Sequence, residues 1–311
     1  MHFKGVLFFT SYDINKEVFM DKYYIEIKEQ LINNEITKKI KDYSKNKSDL
    51  EAYYNIGKLL SEAGKQYGEG IIKKYSIKLT KDFGKGYTFT SLTRMKKFYT
   101  LITKLATVSQ QLTYGHYIEL LSIKDLNKIK YYIYIIEKQN LSIRELRNKI
   151  KSNEYERLPI ETKLNTNSNQ VKDLIKNPII INNPNNMEII KEKTLQKLIM
   201  ESITSFLEEL GPGFTFIKNE YKIKIGNTYN YIDLLLFNIE YNCYVVIELK
   251  ITELKKEHIG QIEVYMNYID NNIKKIHHNK TIGIIICRID NKFIIEYSSD
   301  KRILSREYIL L

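Results

Sequence analysis

Tyr231-Ile232-Asp233-Leu234-Leu235-Leu236-Phe237, followed by Tyr244-Val245-Val246-Ile247-Glu248-Leu249-Lys250, is the stretch that decides the fold. Both runs are short, apolar and of strand length, and both hold charge that an ordinary buried strand would reject. Asp is depleted in strands, yet Asp233 stands alone among Ile, Leu and Phe. Glu248 and Lys250 follow Val-Val-Ile directly, where burying charge is costly unless it is paired or bound to a metal. Fifteen positions separate Asp233 from Glu248, which suits a hairpin that sets two carboxylates side by side. Converging carboxylates repel unless a cation relieves them. Hard oxygen ligands with few nitrogens favour Mg2+ or Mn2+. Alternation along a strand puts Glu248 and Lys250 on one face. The pattern predicts a divalent cation held by Asp233, Glu248 and the carbonyl of Leu249, with Lys250 beside a phosphate under attack. The alternative is an Asp–Lys–Glu ion cluster without catalysis. Glu-x-Lys alone decides nothing, because it also occurs at Glu26, Glu161, Glu220 and Glu253.

Outward from this stretch, the C-terminal part (188–311) reads as a helix over 188–210, halted by Gly211-Pro212-Gly213, then strands over 214–225, 229–238 and 244–251. A helix over 256–271 and strands over 281–287 and 293–297 complete it. The continuous apolar runs Val245 to Ile247 and Ile282 to Ile286 predict central strands buried on both faces, joined in parallel by a right-handed crossover. Residues 152–187, rich in Asn, Pro, Thr and Ser, read as a linker with a short helix near 170–176. Residues 22–151 read as helices throughout, and residues 1–21 as an N-terminal extension. There is no internal repeat.

Composition narrows the function classes. Lys and Arg number 49 against 37 Asp and Glu, a net charge of +12. A polyanion, nucleic acid before membrane, is the partner this balance suggests. Lys, Ile, Asn and Tyr are all abundant, as AT-rich coding produces, so the charge alone leaves the matter even. No apolar run has the ~18 residues needed to span a bilayer, so no membrane partner is expected. Cys243 and Cys287 form no CxxC pair, which argues against a zinc finger and for reduced thiols in a cytoplasmic protein.

These residues resemble the PD-(D/E)XK nucleases, and more closely the YhcG-like family among them. The resemblance is carried by Phe206-Leu-Glu-Glu-Leu-Gly211, Tyr231 to Phe237, Val246-Ile-Glu-Leu-Lys250, Gly260-Gln261 and Tyr265 to Tyr268. In the first half it rests on Ile56-Gly57, Tyr67-Gly68, Phe83-Gly84, Leu92 to Tyr99 and Ser142 to Leu146. It implies an α+β two-domain chain: an N-terminal all-α domain, helix-turn-helix or winged-helix-like, and a C-terminal α/β restriction-endonuclease-like core of order αβββαβ. It also implies that Glu201 lends a metal contact, the alternative being a solvated helix charge. Gln261 is implied to steady the catalytic site, the alternative being a surface Gln. One departure is Tyr114-Gly-His116, where the family usually has Trp near the His.

In the helical domain, residues 68–104 hold nine Lys and Arg against Glu69 and Asp82. Helix, glycine-containing turn, helix is an arrangement that can dock on DNA. Lys85, Ser91, Thr93, Arg94, Lys96 and Lys97 are the expected contacts, the alternative being a solvated face of an interaction domain. The sequence thus predicts a Mg2+-dependent deoxyribonuclease that acts on DNA as a homodimer, since cutting both strands takes two sites. The rivals are a silent DNA-binding protein with a nuclease-like fold and a protein–protein adaptor.

Overall fold

A computed structural model describes residues 11–40, 45–106, 108–109, 111–164, 171, 175–188, 191–298 and 300–311. The chain divides into two compact units, residues 1–151 and 152–311.

The first unit contains α1 (Ser11–Ile40), α2 (Lys45–Tyr67), α3 (Gly70–Phe83), a 3-10 turn (Lys85–Tyr87), α4 (Phe89–Leu105), α5 (Tyr114–Leu120), α6 (Leu126–Gln139) and α7 (Ile143–Lys151). Apolar residues at helical spacing build its core: Ile27 and Leu31 of α1, Ile56 and Leu60 of α2, Tyr75 and Leu79 of α3, and Leu92 and Met95 of α4. Gly57 lets α2 and α4 approach backbone to backbone, since a Cβ there would lie 2.2 Å from the Met95 carbonyl oxygen. After α3 the chain turns at Gly84, at φ +92, and Thr88 caps α4 by accepting from the Ser91 N–H. Two expectations are corrected here. α1 starts at Ser11, so helix occupies half of the stretch read as an extension, whose residues 1–10 lie outside the described set. A winged helix needs a β-hairpin, and no strand occurs among the described residues of this unit.

The second unit opens with α8 (Glu154–Arg157) and α9 (Ile160–Leu164) and continues through β1 (Ile179–Ile181), α10 (Glu192–Glu201), α11 (Ile203–Leu210), β2 (Phe214–Ile225), β3 (Thr228–Asn238), β4 (Cys243–Glu253), α12 (Lys256–Asn272), β5 (Asn279–Ile289), α13 (Lys292–Glu296) and β6 (Ile303–Leu310). The strands form one mixed sheet of order β1-β6-β5-β4-β3-β2. β2, β3 and β4 pair antiparallel, while β4, β5, β6 and β1 pair parallel. The sheet is covered on both faces. Val245, Ile247 and Leu249 join Leu195, Leu198 and Ile199 of α10 in one core. Val246 joins Ile262, Met266 and Ile269 of α12 in the other. That two-sided burial explains the unbroken apolar runs of β4 and β5, and the αβββαβ order is present.

Four details differ from expectation. Residues 152–187 are no simple linker: Ile179–Ile181 pairs with β6, and Val171, Ile175 and Ile179 are buried. This segment is fastened by Arg157, which donates to Pro178 O and pairs with Glu209, and by Lys176, which lies 3.2 Å from Glu209 and 3.3 Å from Glu154. The helix over 188–210 is two helices, broken at Ser202. The run over 293–297 is no strand but the helix α13 capped at Tyr297, with Phe293 and Tyr297 exposed, because a short apolar run has no period that separates strand from helix. The strand over 303–310 is, like β1, one that the pattern concealed.

β3 and β4 part company at one place. Their pairing stops at Leu234↔Ile247. Beyond it β4 continues beside β5 through Lys250, while β3 continues only beside β2, from Ile232 back to Thr228. Asp233 and Glu248 are the first residues past this fork.

Candidate active site

The fork produces the site. Where β3 turns away, the Leu249 N–H loses a ladder partner on that side, and Asp233 Oδ2 accepts from it at 2.8 Å. Gln196 of α10 donates to the Asp233 carbonyl oxygen at 3.0 Å, tying the first helix to the same point. On β4, Glu248 is buried at 2% exposure. Its Oε1 accepts from Lys250 Nζ at 2.9 Å and from Gln261 Nε2 at 2.8 Å. The Gln261 amide also donates to the Tyr265 hydroxyl at 3.1 Å, one helical turn along α12. Lys250 Nζ makes a second ion pair with Glu192 Oε2, 3.3 Å away on the first turn of α10. Both helices and the central strand therefore converge on one amine and one carboxylate.

The electrostatics are those of crowded acids. Burial, then the negative charge of Asp233, push the Glu248 carboxyl up to about 7. Burial likewise raises Asp233, against the Leu249 N–H and the Lys250 charge, which lower it. Burial alone would lower Lys250, but Glu248, Glu192 and Asp233 hold it above its ordinary value, so it stays an ammonium at neutral pH.

One atom is left over. Glu248 Oε2 is buried and has no hydrogen-bond partner among the described residues. A buried acceptor without a partner costs ~1–3 kcal/mol, more when charged. A hard cation at that oxygen would satisfy it, and Asp233 with the Leu249 carbonyl would complete an all-oxygen set. These residues fit a divalent cation. Among the described residues no three His, Cys, Asp or Glu side chains gather into a cage, so the set rests on two carboxylates and a backbone oxygen.

Of the residues singled out from the sequence, the structure brings Asp233, Glu248, Lys250 and Gln261 together. Glu201 is not among them. It ends α10, nine residues from Glu192, and pairs on the surface with Lys197 at 3.7 Å; nine residues of helix span ~13 Å. The acidic residue that α10 does deliver is Glu192. Sequence reasoning missed Glu192 and Gln196, and it noted Tyr265 only as part of the resemblance, with no role at the site. Their one available signal was position: the first turn of a helix that precedes the sheet, and a step of four residues from Gln261. Of the other Glu-x-Lys acids, Glu220 and Glu253 are exposed and Glu26 half-buried.

In the first unit, Lys85, Arg94 and Lys97 are exposed, and Thr93 is half-buried. Lys96 is instead held by Glu69, and Ser91 is engaged at the α4 N-terminus by Thr88. Asp82 is taken up by Lys28 at 2.8 Å and Tyr24 at 2.9 Å.

Residues 172–310 match the family described as the YhcG PDDEXK nuclease domain, and residues 24–157 match the DUF1016 N-terminal domain. YhcG of Escherichia coli (strain K12) is 22% identical, over 76% of this chain and 75% of its own length. Two solved structures are similar at 19% identity. One is a repair endonuclease from Pyrococcus abyssi, with TM-score 0.29 over 40% of this chain and 49% of that one. The other is an EndoMS–dsDNA complex, with TM-score 0.28 over 42% and 48%. This chain thus spans about half the length of either. No helix among the described residues is long and apolar enough to cross a membrane.

Proposed function

The chain joins a DUF1016 N-terminal domain to a YhcG PDDEXK nuclease domain, and from that premise we propose a deoxyribonuclease that hydrolyses phosphodiester bonds with a divalent cation, magnesium or manganese. The observation that carries the reading is the buried, unpartnered Glu248 Oε2 beside Asp233 at the strand fork. A bound cation supplies Lewis acidity to the scissile phosphate. Asp233 would serve by one oxygen and spends the other on the Leu249 N–H, which fixes the backbone at the residue whose carbonyl would join the set. Lys250, held charged, donates to the negative charge that builds on the phosphoryl oxygens rather than removing a proton. Gln261 keeps Glu248 Oε1 turned toward Lys250 and so leaves Oε2 for the cation. Glu192 holds the Lys250 ammonium from the α10 side.

The exposed cations Lys85, Arg94 and Lys97 favour a DNA-contacting role for the helical unit, through phosphates rather than bases. A pair of copies would supply the two sites a double-strand cut needs. The cysteines, both buried and free, accord with a cytoplasmic protein. Supercoiled plasmid incubated with purified protein and Mg2+ tests the central claim. Nicked and linear products should appear with Mg2+ and vanish with chelator. Cleavage that persists in Asp233→Ala or Lys250→Ala would sink the assignment, and a wild type that never cuts would favour the silent DNA-binding reading.

A further inference from the structure

Beyond the fork, β2 and β3 leave the sheet as a two-stranded arm, 221–225 paired with 228–232. Its sequence, Tyr-Lys-Ile-Lys-Ile-Gly-Asn-Thr-Tyr-Asn-Tyr-Ile, contains two lysines and no acid. The two-residue turn Gly226-Asn227, with Gly226 at φ +60, keeps the strands in register. Alternation then sorts the side chains. Ile223 and Ile232 are buried against the α12 core. The opposite face carries Lys222 across from Tyr231 and Lys224 across from Tyr229. This face is not packed: Tyr229 is 54% and Tyr231 51% exposed. Lys222 Nζ sits 3.8 Å from the Tyr229 ring centroid, and Lys224 Nζ 6.0 Å.

We infer that this arm is a stacking platform for an unpaired stretch of the nucleic acid being cut, with Tyr229 and Tyr231 receiving bases and Lys222 and Lys224 meeting phosphates. The inference rests on the nuclease reading above and adds a substrate class to it. Three observations select it. Two exposed tyrosines beside two lysines, with the flanking acid Glu220 paired to Lys193, repeat the combination that binds single strands without regard to sequence. Of the groups that read base edges in a duplex groove, this face lacks Arg, Asn and Gln and holds only the two lysines; Asn227 lies in the turn and Asn230 pairs with Ile223 on the other face. Finally, Tyr231 is two residues from Asp233, ~7 Å along a strand, so a strand lying on the arm runs directly to the fork. The enzyme would then prefer tailed or branched DNA over an intact duplex and show little sequence preference.

The test is fluorescence anisotropy of the full-length protein in chelator, with a labelled blunt duplex and the same duplex bearing a single-stranded DNA tail. Wild type should bind the tailed probe more tightly. Tyr229→Leu with Tyr231→Leu should weaken binding of the tailed probe by about tenfold or more and of the blunt probe by less than about twofold. The Phe pair, which keeps the rings, should behave as wild type. Lys222→Gln with Lys224→Gln should flatten the salt dependence on the tailed probe by about two phosphate contacts and leave that on the blunt probe nearly unchanged. Equal affinity of wild type for the two probes, an outcome that requires no variant to fold, overturns the inference, as does equal loss on both probes in the Leu pair. A wild type that cuts plasmid yet ignores the tail removes the arm's role and leaves the nuclease standing; one that neither binds nor cuts removes both.

Discussion

Lys250 and Lys97 carry the same charge in opposite settings. Lys250 is 8% exposed, wedged between Glu248 and Glu192 at the fork. Lys97 lies exposed on α4, in a helix whose buried side is Leu92, Met95 and Phe98. A charge that is expensive to place must be accounted for by something nearby, and at the fork the account leads to chemistry. A charge that costs nothing is compatible with DNA, with a protein partner or with solubility alone. The two units are therefore known unequally: the sheet unit by the placement of a few groups, the helical unit by an excess of sign.

The contrast predicts effects of different size. Asp233→Ala and Lys250→Ala should each lower plasmid cleavage by at least about a thousandfold. Lys85→Ala in the other unit should change single-turnover cleavage at saturating DNA by no more than about twofold, and a comparable loss there would erase the distinction.

Next comes a stability effect confined to the fork. Glu248 has its carboxyl raised from 4.5 to about 7, so the native chain holds that proton more tightly than the unfolded one. Stability is then unpenalised below pH 4.5, falls as pH rises toward 7, and stays low above it. Chemical denaturation without cations should show a loss on the order of 3 kcal/mol across this window. Glu248→Gln should flatten most of it while leaving the protein unable to cut. A wild-type profile that rises over the same window would contradict the crowding of acids.

For the helical unit, Arg94→Ala with Lys97→Ala should reduce the slope of log affinity against log salt by about 2. An unchanged slope moves that unit from DNA contact to protein contact. Smallest of all, Lys96→Met removes the pair with Glu69, itself 70% exposed, and should cost less than about 1 kcal/mol in thermal unfolding.

Asp233, Glu248 and Lys250 were legible in the sequence because each breaks the rule of its strand, and the breach survives any error in element boundaries. Gln261 needed the resemblance, since a Gln on a helix is ordinary until its partner is known. Glu192 was out of reach: the helix over 188–210 offers several acids, and the break at Ser202 that decides which end meets the sheet has no marker such as Gly or Pro. The edges of the sheet were lost for a related reason. β1 is three residues long inside an Asn- and Pro-rich stretch, and β6 carries Ser305, Arg306 and Glu307 in its middle. Their strand state is set by partners distant in sequence, as Asn177 bonding to the Glu307 N–H illustrates.

β1 has a practical implication for dissecting the molecule. It enters from upstream to flank β6, and backbone bonds join Ile181 to Leu311 and Asn183 to Leu311. A fragment begun at residue 188, the boundary read from the sequence pattern, would discard that strand together with Lys176 and Arg157. Its last strand would then present a bare, sticky border to other copies. Excision for crystallisation or assay belongs at Ser152, where the second unit begins.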